Sequence, residues 1–258
     1  MAGRARPRRR TILVRTVFLA GASGAIGRRL APLLVADHWR VVGTTRSREK
    51  AEMLRKLGVE PAVLDVFDAD ALRQAMLEAR PEIVIHQLTD LPAGLAAEKM
   101  AEGLVRNTRV RDEGTRNLVS AAVAAGAKRM VAQSIALIYA KGPQPHSEAD
   151  PLIPDSDPVW GGTVKGVLSL ERQVLQAPLE GVVLRYGLLY GPGTGFDSPA
   201  ALGAVHVDAA AKAAELAVTQ GAPGIYNIAE PGGPVAIEKA IRAFGWDANW
   251  RAEPPSRV

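Results

Sequence analysis

Cysteine is absent from the 258 residues. This excludes disulfides, thiolate catalysis and Cys-ligated metals, and points to a reducing compartment, the cytoplasm. Histidine is scarce as well. The four present show no H-x-x-x-H or H-x-x-E-H spacing, so no metal site is expected. No apolar run approaches the roughly 18 residues that a membrane span requires, and there is neither an internal repeat nor a low-complexity segment. Acidic residues are missing from the start of the chain, where Arg4, Arg6, Arg8, Arg9, Arg10 and Arg15 stand alone. Subtracting these six charges from the net +5 leaves −1, so the body of the protein is near neutral. A nucleic-acid partner is therefore not expected. Residues 1–15 read as a basic, disordered tail, with contact to an anionic surface as the alternative. Arg15 also interrupts the apolar run that a signal peptide would need.

What is present is an alternation of short β-branched strands with alanine- and leucine-rich helices. Strands are expected at 16–20, 40–45, 62–64, 82–86, 128–132, 181–185 and 225–228. Helices are expected at 24–36, 47–57, 68–79, 95–125, 163–176, 207–219 and 235–244. This order predicts an α/β fold of the Rossmann type, a doubly wound parallel sheet covered on both faces. Its ligand crevice lies at the carboxyl ends of the strands. One domain over 16–250 accounts for the length, with a loop over the crevice at 141–158 and a frayed tail at 251–258.

The first strand-to-helix turn reads Gly21-Ala22-Ser23-Gly24-Ala25-Ile26-Gly27. Gly21 suits a tight turn, Gly24 lets a pyrophosphate approach the backbone, and Gly27 lets the helix pack on the sheet. Amides at the helix start, from Ser23 to Ile26, can hold phosphate charge. After the second strand comes Thr44-Thr45-Arg46-Ser47-Arg48, with no acid until Glu49. NAD sites place a carboxylate there for the ribose 2′-hydroxyl. Arg46 instead suits a 2′-phosphate, supported by Thr45, Ser47 and Arg48, so NADP is the expected cofactor and NAD the lesser one. Asp65-Val66, after the third strand, can receive the adenine ring, although Asp65 can equally cap the following helix.

These residues, with Ile83–His86, Glu113–Leu118, Ser134–Tyr139, Arg185–Gly193 and His206-Val207-Asp208, resemble the extended short-chain dehydrogenase/reductase family, the NAD(P)-dependent epimerase/dehydratase group. The resemblance covers roughly Thr16 to Trp246. It implies a nicotinamide cofactor, a small-molecule substrate and homodimerisation. It also implies a Ser/Thr and a Tyr-x-x-x-Lys acting on the substrate oxygen. Lys165 matches the lysine, which would hold the nicotinamide ribose. The tyrosine position is Gly161, which carries no proton. The hydroxyl position is Ile135, with Ser134 one step earlier, and Arg111 stands where the family often has asparagine.

Ser134, Tyr139 and Lys165 are therefore the catalytic candidates, with Tyr139 ranked before Tyr186 and Tyr190 as a replacement acid. Tyr186 is also expected, with Lys165, beside the cofactor. Only Thr194–Val205 separates the Tyr-Gly-Pro-Gly segment from His206, so the substrate lobe over about 186–250 is reduced. Two readings compete. One is an NADP(H)-dependent oxidoreductase with an atypical site, acting on a small carbonyl, hydroxyl or sugar-like molecule. The other is a non-catalytic NADP(H)-binding sensor.

Overall fold

The computed structural model describes residues 15–253. The remainder of the expected tails lies outside the described residues. Within them, Arg15 is held by stacking 4.0 Å over Trp39 and by an ion pair with Glu82. At the other end Arg251 reaches the Tyr190 hydroxyl and Glu230.

Seven parallel strands form the central sheet. They are β1 (Thr16–Ala20), β2 (Arg40–Thr45), β3 (Glu60–Val63), β4 (Ile83–His86), β5 (Arg129–Ile135), β6 (Glu180–Tyr186) and β9 (Gly224–Ile228), in the order β3-β2-β1-β4-β5-β6-β9. The two remaining strands, β7 (Leu188–Tyr190) and β8 (Ala204–His206), make a small separate pair. Chain order reverses at β1, between β2 and β4, and such a switch point opens the crevice in a doubly wound sheet.

The period-two alternation of β1 shows why the sheet is buried on both sides. Val17 and Leu19 enter one apolar core, while Phe18 and Ala20 enter the other. The first core is closed by α1 (Gly27–Ala36), α7 (Val207–Leu216) and α8 (Glu238–Phe244). The second is closed by α3 (Ala69–Ala79), α5 (Thr115–Ala124) and α6 (Gly161–Gln176). The short α2 (Arg48–Lys56) follows β2 and buries Ala51 and Leu54.

Three differences from the expected elements have physical reasons. The helix expected over 95–125 is broken. Gly94 and Leu95 adopt left-handed backbone, α4 (Met100–Arg109) begins only after two single 3₁₀ turns, and a π turn at Val110–Gly114 separates it from α5. The last helix starts at Glu238 rather than Val235, because Val235 is drawn into a parallel bridge with His146. Strands β7 and β8 have three residues each, too few for a periodic signal.

Candidate functional site

The glycine turn sits at the carboxyl end of β1. Gly21 has φ +86°, and a Cβ there would stand 2.6 Å from the Gln87 carbonyl oxygen. A Cβ on Gly27 would stand 2.2 Å from the Gly21 carbonyl oxygen, so only glycine lets α1 pack this closely. Gly24 is different. Its missing side chain would meet only the Gly21 carbonyl, at 3.3 Å, and it lines an open crevice. The Gly21 amide is taken by the Thr44 hydroxyl at 3.1 Å and the Gly24 amide by the Gly21 carbonyl. The Ser23, Ala25 and Ile26 amides have no acceptor among the described residues. Free amides at a helix start are a receptor for an anion.

Around this turn the structure brings together Gly21, Ser23, Gly24, Arg46, Asp65 and Val66 as walls of one crevice. Ala25 and the buried Ile26 are not in its walls, so any part they take is through their amides. Arg46 leans across the mouth toward Asp90, with 3.6 Å between charged atoms. This is a loose pair at an exposed site, and a better anion can displace it. Ser47 caps α2 by accepting the Lys50 amide, and Lys50 itself joins the wall. Lys50 was missed in the sequence, where its signal is a position one turn into a helix that opens at the crevice. Asp65 accepts the Phe67 amide in its own turn, and Asp68, not Asp65, caps α3.

A nicotinamide dinucleotide fits this cradle. The orphaned amides face the expected pyrophosphate position. In addition, both polar atoms of the Gln87 side chain are buried in the crevice wall with no hydrogen bond of standard geometry, the Tyr186 hydroxyl being their neighbour. Unpaired buried amides are costly, and a ligand that pairs them recovers that cost. Gln87 follows β4 directly, and its place at the strand end is the sequence signal that was overlooked.

The expected catalytic side chains are not gathered there. Ser134 is sealed from solvent and donates to Glu171 Oε1 at 2.7 Å. Glu171 is gripped by Arg185 through two bonds of 2.9 and 2.7 Å, and both side chains are buried. Tyr139 continues this network: its hydroxyl donates to Asn227 Oδ1 at 2.7 Å and accepts from Arg185 at 2.8 Å. Burial raises its pKa despite the neighbouring guanidinium, opposite to what activation of a phenol requires. Tyr186, expected beside the cofactor, lies in the core, where its hydroxyl donates to the Ala210 carbonyl. Burial pushes that phenol up as well. Lys165 is exposed, has no hydrogen bond or ion pair among the described residues, and is not in the crevice wall. At Gly161, a Cβ would stand 2.4 Å from the Asp155 carbonyl oxygen, so this backbone admits no tyrosine there.

Below the crevice, His86 is fully buried. Its Nδ1 accepts the Leu88 amide, which leaves Nε2 to donate to the Thr115 hydroxyl at 3.0 Å. Burial and the charge of Arg111 push its pKa down to about 4, so it is neutral at physiological pH.

An all-parallel sheet with an anion cradle at its switch point defines a nicotinamide-dinucleotide-binding Rossmann protein. Comparison with known proteins narrows this. A family model described as NAD(P)H-binding matches residues 21–190. A "3-diazoavenalumate denitrifying reductase" from a Streptomyces species is 41% identical over 235 residues, covering 83% of this chain and 75% of the relative. A dTDP-4-dehydrorhamnose reductase from Streptomyces griseus is 30% identical over 177 residues, 68% of this chain and half of that one. Among solved structures, a UDP-glucose 4-epimerase from Thermotoga maritima superposes with TM-score 0.72 at 18% identity, covering 91% of this chain and 94% of its own. The Thermus thermophilus UDP-glucose 4-epimerase in complex with NAD gives 0.64 at 25%, covering 93% and 86%. The chain belongs to the NAD(P)H-binding, extended short-chain dehydrogenase/reductase family. No helix among the described residues is long and apolar enough to cross a membrane.

Proposed function

We propose that the protein is an NADPH-dependent reductase that replaces a diazonium group by hydrogen, releasing dinitrogen, without a tyrosine acid. The observation that carries this is the pairing of an intact dinucleotide cradle with a backbone that bars tyrosine at position 161. The phenols of Tyr139 and Tyr186 are bonded elsewhere. Reducing a carbonyl, or exchanging hydride at a hydroxyl, creates or consumes an oxyanion and needs a proton carrier. A diazonium carbon does not. It gains a C–H bond while the C–N bond breaks, and that bonding pair leaves with dinitrogen, so no proton is taken up. When bound, NADPH supplies the hydride and ends as NADP+. The name of the Streptomyces relative, a denitrifying reductase of a diazo carboxylate, agrees with this chemistry.

The chain's own part is to bind and orient. Amides of Ser23, Ala25 and Ile26 would take the pyrophosphate, and Arg46 with Lys50 the 2′-phosphate. Asp65 and Val66 would take the adenine, and Gln87 would pair with the more deeply placed part of the cofactor. Neutral His86 keeps a second cation out of the floor.

The test mixes purified protein, NADPH and 4-carboxybenzenediazonium. We expect NADPH absorbance to fall with one equivalent of gas released per NADPH. A protein that turns over simple carbonyls instead, and loses that turnover on Tyr139→Phe, refutes the reading. Saturable NADPH binding with no oxidation of any acceptor supports the alternative, a non-catalytic NADP(H)-binding protein.

A further inference from the structure

We infer that Arg111, which lies between the end of β4 and α6, is the receptor for a substrate carboxylate. This deepens the reductase reading above and rests on it for the nature of the ligand.

Arg111 lies in the π turn that interrupts the helix after Arg109, and such one-turn irregularities commonly mark functional sites. The preceding residue, Val110, lines the cofactor crevice. Arg111 itself turns toward α6, where Gly166 admits it: a Cβ on Gly166 would meet the Arg111 Cβ at 3.4 Å. The arginine is 7% exposed, yet it makes no hydrogen bond or ion pair among the described residues. Buried guanidinium groups are otherwise paired, because an unpaired buried charge is among the costliest features a fold can carry.

Counting charges shows what is missing. The fully buried ionisable groups here are Arg111, Arg185, Glu171 and His86; the half-buried Glu148 carboxylate accepts the Asn227 amide, and Glu171 is the carboxylate whose charge acts on Arg111. His86 is neutral. Glu171 spends both oxygens on Arg185, and one of them also on Ser134. Burial lowers the Arg111 pKa only to about 10, so it stays charged. One positive charge is left over. A single monoanion neutralises it, and a carboxylate matches the guanidinium fork through two bonds. The nitrogens of Arg111 are not among the sealed unpartnered atoms, so the head keeps an opening to solvent. The dinucleotide phosphates have their own receptors at the glycine turn and at Arg46 and Lys50.

The experiment titrates cinnamate and its uncharged counterpart cinnamamide into protein saturated with NADPH, by calorimetry. We expect cinnamate to bind at least tenfold more tightly than cinnamamide. Arg111→Met should erase that preference while leaving NADPH affinity within twofold, and Arg111→Lys should keep part of it. Because Met removes an uncompensated buried charge, its melting temperature should stay level or rise. Equal affinities for acid and amide, or no cinnamate binding, overturn the inference. So does an Arg111→Met variant that loses NADPH instead, which would assign the cation to the cofactor, or one that melts far lower, which would make it structural. Cinnamate bound through Arg111 without any diazonium turnover leaves the anion site standing while the reductase reading falls.

Discussion

Two polar regions of the molecule, an open end at the glycine turn and the expected reactive end around Ser134, are built on opposite plans. At the open end, polar groups are left without partners: three amides without acceptors, a guanidinium loosely held by Asp90, and Lys50 in the wall. At the reactive end the polar groups are consumed. Ser134, Glu171, Arg185, Tyr139 and Asn227 form one chain of hydrogen bonds, buried except at Tyr139, in which the expected hydroxyls are already committed. The first end is prepared to receive charge from a ligand, and the second holds its own structure together. A reaction that needs hydride but no proton is compatible with that division.

The largest test removes the centre of the consumed end. Glu171→Leu leaves Arg185 buried without a counter-ion, next to a second unpaired cation in Arg111. Breaking a buried pair from one side costs about 3–5 kcal/mol, and urea unfolding should register a loss of that size. A loss under 1 kcal/mol would mean the network is not structural, and the contrast between the two ends would fail.

Next in size is a pH effect from the floor. Folded His86 protonates at about pH 4, against 6.5 for the solvent-exposed group of the unfolded chain. Between those limits only the unfolded chain takes up the proton. Its contribution is therefore fully present above pH 6.5, is lost as pH falls toward 4, and changes no further below. The difference amounts to about 3 kcal/mol. Stability measured from pH 7 to pH 4 should carry this extra slope, and His86→Gln should remove it.

A sharper probe of the open end is Arg46→Ala. With its charge gone, NADPH should bind about tenfold more weakly, about 1.4 kcal/mol, while NADH affinity stays unchanged. An equal loss for both cofactors would make Arg46 a general electrostatic contributor and leave the proposed NADPH preference without a carrier.

Most of the open end was legible in the sequence because it is made by local rules. A turn that needs φ above zero, a helix start and the residues just after β2 all occupy fixed offsets from one strand, so Gly21, Gly24, Gly27 and Arg46 could be read in order. The seven-strand sheet was legible for the same reason, since β1 and β2 are short periodic units with turn residues between them. The reactive end is assembled across long separations. Ser134 meets Glu171 and Tyr139 meets Asn227, and no spacing rule joins those pairs. A serine and tyrosine near a strand end look the same in sequence whether their hydroxyls are free or bonded. Tyr186 illustrates the point: a strand-end aromatic that the resemblance places beside the cofactor turns inward to Ala210. Arg111 is visible in the sequence only as a departure from the family pattern, because the engagement of both Glu171 oxygens by Arg185 is a tertiary contact.

The smallest expected effect on cofactor binding and turnover bears on Tyr139. In Tyr139→Phe the ring still stacks on His146, at 5.1 Å between centroids. Arg185 keeps both bonds to Glu171, so the variant loses only the hydroxyl's bonds to Asn227 and Arg185. Net contributions of such bonds are about 1 kcal/mol each, and a melting temperature a few degrees lower should be the whole stability effect. NADPH affinity and the rate of hydride transfer to a diazonium should be unchanged, because the phenol has no place in that step. A tenfold drop in rate at nearly native stability would return the phenol to the chemistry. Its hydroxyl would then have to leave Asn227 during turnover, and the reactive end would be a switchable site rather than a structural one.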